Sequence, residues 1–389
     1  MPMAGHLPEA GTRAGEEMER IRAFKMPNFV SPYPFKRNPF ADIAKEVSDR
    51  WLVEYSLDKL YNTPEEKRAF FTQNFCEFAM LTYVSTAEKQ AIFAGKWFVW
   101  LLVLDDYLGQ FTDFCSPDKP TSFFLEFNLT ILWSIPDAEN SKAYQKFLEF
   151  LDILDVTDAD RTQTLKYVHS KLDEARLKRG TVYDTSSPRV HPLCKAFRDL
   201  WAELCESMPE NFLRRWGPLV QNYVHGGAKE IRDRKNKTIP SVDEFIALRR
   251  DTIAIWSVMG VIDYTDNVNL PDEVFDSREM QAFIRAACDL LAWQQDIWSF
   301  QKEILMGDVH NMVTVVSHEK DCSYAEAGTI VLQMMTDKLV EMEKTIHDLE
   351  KVTPPEYQLG IAPYINWART ALTTSTHWYG NCTRYPTYE

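Results

Sequence analysis

Acidic side chains lie inside stretches of sequence that are otherwise apolar, and this conflict limits what the chain can fold into. Residues 97–108 read WFVWLLVLDDYL and residues 286–300 read AACDLLAWQQDIWSF. At helical spacing both stretches are apolar on nearly every side, which is typical of helices at the centre of a bundle. A carboxylate in such a helix is costly unless a cation lies beside it. The sequence therefore predicts central helices whose acids have a specific partner.

Helical spacing of apolar residues extends along most of the chain. Apolar residues recur every three or four positions in 41–60, 64–85, 88–109, 139–153, 158–179, 191–208, 209–235, 242–265, 278–306, 322–350 and 356–381. Glycine is scarce, with 14 among 389 residues, which disfavours a turn-rich β fold. Because no repeat or linker divides the chain, we predict one all-α domain of ten to twelve helices over residues 41–389.

The first forty residues differ from the rest. Residues 1–25 are polar and rich in Gly, Pro and Glu, and they predict a mobile tail. Residues 26–40 (MPNFVSPYPFKRNPF) combine prolines with aromatic residues, which favours an extended strap lying on the helical body. We therefore assign residues 1–40 to an N-terminal tail and strap.

Charge and cysteine content exclude several classes of partner. The chain has 43 basic and 57 acidic residues, a net charge of −14, which disfavours general binding to nucleic acid or to anionic membranes. Its longest apolar run, 97–104, is far too short to span a membrane, and its N-terminus has no secretory h-region. Seven scattered cysteines without a CxxC pair favour reduced thiols. We expect a soluble cytoplasmic protein.

The first acidic site is the pair Asp105 and Asp106, directly after eight apolar residues. This pair could be the solvated end of a helix. It could also bind Mg²⁺, because hard divalent cations prefer oxygen ligands and need few protein carboxylates when phosphates supply the others.

The second acidic site lies in residues 295–303, QDIWSFQKE. On a helix, Gln295, Ser299 and Glu303 step by four and occupy about 80° of one face. An amide oxygen, a hydroxyl and a carboxylate in one column form a plausible three-point Mg²⁺ site. Asp296 offers an alternative column with Ser299 and Glu303, and the spacing leaves both open.

These motifs together resemble class I terpene cyclases of microbial or fungal type. The family's second metal motif reads Asn/Asp-Asp-x-x-Ser/Thr-x-x-x-Glu/Asp, and QDIWSFQKE lies in that register, followed by GDVHN at 307–311. Upstream, residues 248–253 (LRRDTI) resemble the family's pyrophosphate-sensing helix. Arg384 and Tyr385 resemble its C-terminal Arg-Tyr pair. The four elements occur in the family's order over residues 90–385.

The sequence departs from the family pattern at two places. The first motif usually carries a third acid, as DDxxD or DDxxxD/E, but Gly109 and Gln110 occupy those positions. The first metal site could therefore depend on Asp105 alone. Gln295 stands where Asn is usual, and its longer side chain would require the metal or the backbone to shift.

The resemblance implies an all-α class I terpenoid synthase bundle with a central active-site cavity. It implies a lyase that ionises an isoprenyl diphosphate with three Mg²⁺ ions and cyclises the hydrocarbon chain. Asp105, Asp106 and Arg249 would be catalytic, with Asp105, Gln295, Ser299 and Glu303 as metal ligands. The diphosphate would be bound by Arg249, Lys302, Arg384 and Tyr385. Arg250 could replace Arg249 as the sensor of diphosphate.

A carbocation requires an apolar wall whose aromatic faces stabilise positive charge and exclude water. Candidate residues for this wall are Phe75, Phe78, Trp97, Phe98, Thr252, Ile253, Trp293 and Trp378. A single α domain suits farnesyl diphosphate and a sesquiterpene product, either a macrocycle of humulene or germacrene type or a polycycle. C10 and C20 substrates remain open, as does a monomeric or homodimeric state.

Two alternatives remain at this stage. A chain-elongating isoprenyl diphosphate synthase would share the helical fold and the Mg²⁺ dependence, but that family has a second DDxxD motif, where this chain has QDIWSFQKE. A non-catalytic helical binding protein is the other alternative, and it is favoured by the incomplete first motif.

Overall fold

The computed structural model describes residues 19–385 except Arg22, Asn28, 112–120, Asp155 and Lys237, so most of the predicted mobile tail lies outside the described residues. Throughout this described part the regular elements are helices, and no strand occurs among them, which confirms the all-α prediction. The helices are α1 (Ala41–Glu54), α2 (Pro64–Gln73), α3 (Phe75–Thr82), α4 (Glu88–Leu108), α5 (Thr121–Trp133), α6 (Lys142–Ile153), α7 (Asp158–Leu177), α8 (Pro192–Ser207), α9 (Glu210–Asn236), α10 (Val242–Thr252), α11 (Ile255–Gly260), α12 (Ile262–Thr265), α13 (Asp272–Phe275), α14 (Arg278–Leu305), α15 (Met312–Lys320), α16 (Tyr324–Val352) and α17 (Gln358–Asn381).

The two apolar stretches with internal acids form central helices, as their sequence predicts. In α4, Trp97, Trp100 and Leu104 are fully buried, and the Trp97 and Trp100 rings stack 5.3 Å apart. In α14 the acids Asp289 and Asp296 are only 3% and 0% exposed. Helix α14 therefore holds carboxylates inside the bundle, where each needs a partner, whereas Asp105 at the end of α4 is 54% exposed.

Two predicted helices are interrupted. The predicted helix 64–85 divides at Asn74, which has a φ of +50°, and the predicted helix 242–265 divides at Ala254, which has a φ of +64°. An L-residue in the left-handed region ends a right-handed helix, and apolar spacing carries no signal for it. The second break separates α10 from α11.

Three helices have no counterpart in the sequence prediction, namely α5, the single turn α13 (Asp272–Phe275) and α15. Helix α5 (TSFFLEFNLTILW) is apolar on most positions, so it shows no helical period. Helix α15 contains the run Val313–Val316, which includes three β-branched valines and favours a strand by propensity. In α15 the Asn311 side chain accepts a hydrogen bond from the Val313 amide at 2.9 Å, which fixes the helix start.

The described segment before α1 forms hydrogen bonds with three helices of the body. The Gln301 amide of α14 donates to the carbonyls of Ile21 and Phe24 at 3.3 and 3.5 Å. The Tyr33 hydroxyl donates to Glu343 of α16 at 2.5 Å, and Thr373 of α17 donates to the Tyr33 carbonyl at 2.9 Å. These contacts hold the segment along the outer faces of α14, α16 and α17.

Candidate active site

A cavity of about 970 Å³ lies among α2, α3, α4, α9, α10, α11, α14 and α17. Its polar lining includes Tyr61, Gln73, Asp105, Asp106, Glu230, Arg234, Arg249, Gln295, Lys302, Glu303, Asp308, His310, Arg384 and Tyr385. Its apolar lining includes Leu60, Phe78, Phe98, Leu101, Leu102, Ile253, Ile255, Val258, Leu291, Trp367, Ala371 and Tyr379. The cavity thus combines a charged end with an apolar and aromatic wall.

Arg384 bridges the two acids at the end of α4. Its Nη2 lies 2.7 Å from Asp105 Oδ2, and its Nη1 lies 2.7 Å from Asp106 Oδ1. The Tyr61 hydroxyl donates to the other Asp106 oxygen at 2.8 Å. The Arg384 side chain is only 4% exposed, whereas Asp105 is 54% exposed. The C-terminal arginine therefore closes over this acidic pair, and Asp105 remains open to solvent.

Lys302 and Tyr385 lie beside this bridge. The Lys302 ammonium is 5.8 Å from the centre of the Tyr385 ring, within cation–π range. Burial and the nearby Arg384 guanidinium lower the pKa of Lys302 below its ordinary value. The Tyr385 hydroxyl accepts a hydrogen bond from the Gln295 amide at 3.2 Å, so the segment after α17 also contacts α14.

The buried Asp296 holds Arg249 against α14. Arg249 Nε donates to Asp296 Oδ1 at 2.9 Å, and the other Asp296 oxygen accepts from the Met312 backbone amide at 3.1 Å. A second Arg249 nitrogen donates to the side-chain amide oxygen of Gln295. Both Asp296 oxygens are thus occupied, and Asp296 is absent from the cavity wall. In the alternative column left open by the sequence, Asp296 itself therefore offers no free carboxylate oxygen to the cavity.

Arg250 faces away from the cavity. Its guanidinium makes two hydrogen bonds to Asp289, at 2.6 and 2.8 Å, and Lys338 lies 3.5 Å from the same carboxylate. Arg249 lines the cavity and Arg250 does not. The geometry therefore favours Arg249 between the two candidate sensors.

Ser299 and Glu303 are joined by Asn311. The Asn311 Nδ2 donates to Glu303 Oε2 at 2.9 Å and lies 3.3 Å from Ser299 Oγ. Glu303 lines the cavity, whereas Ser299 is fully buried and absent from its wall. Burial, together with the neighbouring Asp296 carboxylate, raises the pKa of Glu303 to about 7.

The cavity wall contains a charged group that the sequence reasoning missed. His310 Nδ1 lies 3.1 Å from Asp308, and its Nε2 lies 3.6 Å from Asp233. Burial opposes the protonated imidazole, but the hydrogen bond to Asp308 and the nearby Asp233 carboxylate outweigh it and raise the pKa of His310 to about 10. Glu230 lies nearby on α9, and burial raises its pKa. The GDVHN motif at 307–311 was the available signal for His310.

Half of the candidate wall residues do not line the cavity. Phe78, Phe98, Thr252 and Ile253 line it, as predicted. Phe75, Trp97, Trp293 and Trp378 are buried but absent from the lining, and these four assignments are corrected. Trp97 packs against Trp100 and Trp216, and Trp378 stacks on the outer side of Phe78 at 4.4 Å. These side chains support the wall from behind, because a helix that is apolar all round buries most faces against other helices.

The oxygen donors on the cavity fit a hard divalent cation that shares its ligands with a phosphate group. Among the residues that the structure describes, no group of three His, Cys, Asp or Glu could hold an ion alone. Arg384 donates a hydrogen bond to one oxygen of Asp105, and Asn311 donates one to one oxygen of Glu303. Among the described residues of 19–385, no hydrogen bond engages the second oxygen of either carboxylate. Two carboxylates with a free oxygen each can bind a cation whose other ligands are phosphate oxygens.

Comparison with known proteins agrees with this arrangement. Residues 150–341 match the family model "Terpene synthase family 2, C-terminal metal binding". An alpha-gurjunene synthase from Marchantia polymorpha is 27% identical over 381 residues, covering 93% of this chain and 86% of that protein. Sesquiterpene synthase 3 from Postia placenta is 23% identical over 318 residues, covering 81% and 71%. The solved structure of an α-eudesmol synthase superposes with a TM-score of 0.69 at 16% identity, covering 91% of this chain and 98% of that one.

An all-α bundle with acids on two helices around one apolar cavity defines a class of enzyme, the class I terpenoid synthases. Residues 150–341 match the metal-binding C-terminal domain of the terpene synthase family, and most of the chain is similar to terpene synthases. None of the described helices is long and apolar enough to cross a membrane.

Proposed function

We propose that the cavity binds farnesyl diphosphate and converts it, with Mg²⁺, to a sesquiterpene hydrocarbon and inorganic diphosphate. The observation that carries this proposal is the joining of a charged end and an aromatic wall in one cavity. Its volume is near the upper limit of the range of about 300–1,000 Å³ for small-molecule sites. A relative named as a sesquiterpene synthase supports the C15 substrate.

The charged end would bind the diphosphate. Bound Mg²⁺, proposed as three ions, would offset the charge that develops on the leaving diphosphate. Asp105 and Glu303 would hold these ions, with Ser299 through its free lone pair, and Gln295 would join them after its hydrogen bonds to Arg249 and Tyr385 rearrange. Arg249 would donate to phosphate oxygens through its fork.

Lys302, Arg384 and Tyr385 would bind the diphosphate from the other side. As the C–O bond breaks, its electron pair leaves with the diphosphate, so cations that already face that position stabilise the transition state. Arg384 now neutralises Asp105 and Asp106, and its transfer to the diphosphate would accompany closure of the C-terminus over the cavity.

The apolar wall would protect the resulting allylic cation. Phe78, Phe98 and Trp367 present aromatic rings to the cavity, and ring faces attract positive charge. The wall also excludes water, which would convert the cation to an alcohol. Loss of a proton from the cyclised cation yields the hydrocarbon.

Two further features of the proposal concern the state of the protein in the cell. The described cysteines are free thiols, which supports a reducing compartment such as the cytoplasm. We propose a monomer or a homodimer, since each chain contains its own cavity.

Incubation with prenyl diphosphates tests the proposal. The protein is given geranyl, farnesyl or geranylgeranyl diphosphate with Mg²⁺ or with EDTA, and a solvent overlay is analysed by mass spectrometry. We expect a C15 hydrocarbon from farnesyl diphosphate only with Mg²⁺. A parallel reaction adds isopentenyl diphosphate. A lengthened diphosphate in that reaction would identify a chain-elongating enzyme, and no product under any condition would favour a binding protein.

A further inference from the structure

The connection between α14 and α15 reverses the chain and brings Asn311 back onto α14. Gly307 has a φ of +77°, which glycine adopts without strain, and the Asp308 amide donates to the Glu303 carbonyl at 2.9 Å. Asn311 is the N-cap residue directly before α15, and its side chain is fully buried. The GDVHN motif therefore ends with an amide group packed inside the protein beside α14.

The two ends of the Asn311 side chain have separate tasks. Its carbonyl oxygen accepts from the Val313 amide at 2.9 Å and caps α15. Its amino group donates to the backbone carbonyl of Asp296 at 2.7 Å and to Glu303 Oε2 at 2.9 Å. It also donates to Ser299 Oγ at 3.3 Å. An amide NH₂ has two hydrogens, so the three acceptors share them.

We propose that Asn311 is a positioning residue for the metal site, which orients Ser299 and Glu303 so that each keeps an oxygen for a divalent cation. This inference depends on the proposed function. A hydrogen bond from a neutral amide fixes the Glu303 carboxylate but does not cancel its charge, as a lysine would. At Ser299, Asn311 uses one lone pair of the hydroxyl, and a second lone pair remains.

The start of α15 also connects the metal column with the diphosphate sensor. The Met312 amide donates to Asp296 Oδ2, and Asp296 Oδ1 accepts from Arg249. Asn311 thus orients two candidate metal ligands, while the next residue orients the partner of Arg249. Loss of the Asn311 donors should weaken metal binding and leave the Arg249 contact to Asp296 in place.

Two variants remove the donors and preserve the helix cap. Asn311→Ser keeps a good N-cap residue whose hydroxyl is too short to reach Glu303. Asn311→Asp keeps the size and the cap oxygen but replaces the amino group with a carboxylate oxygen. The control is Ser323→Ala, which removes the exposed cap of α16, where the Ser323 hydroxyl accepts from the Glu326 amide.

Metal affinity is measured in two ways. The free Mn²⁺ signal in electron paramagnetic resonance gives binding in the presence of inorganic diphosphate, and product formation is followed against Mg²⁺ concentration. We expect Asn311→Ser to weaken Mn²⁺ binding by about 10–100-fold, as is usual when a group that orients a metal ligand is lost. Excess Mg²⁺ should restore turnover, and Ser323→Ala should match the unaltered protein.

The outcomes separate this inference from the proposed function. If the unaltered protein binds no Mn²⁺ with diphosphate, both are overturned. If it binds and both Asn311 variants bind equally well, only the positioning role is overturned. Circular dichroism checks folding. Failure of both variants to fold, or a loss of turnover that Mg²⁺ does not restore, would assign Asn311 to stability alone and would also overturn the inference.

Discussion

The two acidic sides of the cavity are built differently. At the end of α4, Asp105 is 54% exposed and is neutralised by Arg384, from the segment that follows α17. On α14, Asp296 and Ser299 are fully buried, and neighbouring backbone and amide groups hold them. On the first side an added ion competes with Arg384 for the acids, whereas the second side is already ordered. Closure of the site should therefore depend on the first side.

Loss of a carboxylate on either side should have the largest effect. Asp105→Ala and Glu303→Ala should each lower product formation by at least about 100-fold, because each removes a group that stabilises the leaving diphosphate through metal. Mass spectrometry of the overlay measures this, with Asp173→Ala on the exposed face of α7 as the control. Full activity of either variant would remove that side from the metal assignment.

The two adjacent arginines of α10 offer a sharper comparison on the ordered side. Arg249→Lys keeps a charge for Asp296 but loses the fork that also reaches Gln295, so kcat/KM should fall by about 10–100-fold. Arg250→Lys should change kcat/KM by less than about threefold, because its partner Asp289 lies outside the cavity wall. Steady-state kinetics decide, and equal losses in the two variants would contradict the choice of Arg249.

Arg384→Lys tests the exposed side. A single ammonium cannot bridge Asp105 and Asp106 as the guanidinium does, so we expect kcat/KM to fall by about tenfold. Arg369→Lys is a matched control, since Arg369 also makes two hydrogen bonds to one carboxylate, Glu343, away from the cavity. An unchanged kcat/KM in Arg384→Lys would mean that this bridge plays no part in closure.

The smallest expected effect is a pH dependence on the ordered side. The pKa of His310 is raised to about 10 from its ordinary 6.5, so the folded protein keeps a proton that the unfolded chain loses. The resulting stability is complete below pH 6.5 and is lost as the pH rises to about 10. Urea unfolding of the protein and of His310→Gln at pH 6, 8 and 10 should show a shrinking difference in unfolding free energy. A constant difference would show that His310 is neutral in the folded state.

Spacing alone predicted the helices that carry the site but not the direction of each side chain. Arg249, Glu303 and Asp105 reach the cavity as their motifs indicate. Trp97 and Phe98 are neighbours on α4, yet only Phe98 lines the cavity. The sequence could not distinguish them, because a helix that is apolar on all sides shows no face that marks the cavity. Ala254 is a good helix former, so its left-handed conformation was not predictable from propensity. The contact of Asn311 with Glu303 depends on the chain reversal between α14 and α15, and apolar periodicity does not describe such a reversal.

The tie between Gln301 and the N-terminal segment affects how the protein should be shortened or fused. Gln301 directly precedes Lys302 and Glu303, and it donates to the carbonyls of Ile21 and Phe24. Phe24 also packs on Phe300, with ring centres 4.6 Å apart. A truncated version that starts at α1 would expose the outer side of the same helical turn that lines the cavity on its inner side. A purification tag should therefore be attached upstream of residue 19, so that the contacts of Ile21 and Phe24 with α14 stay in place.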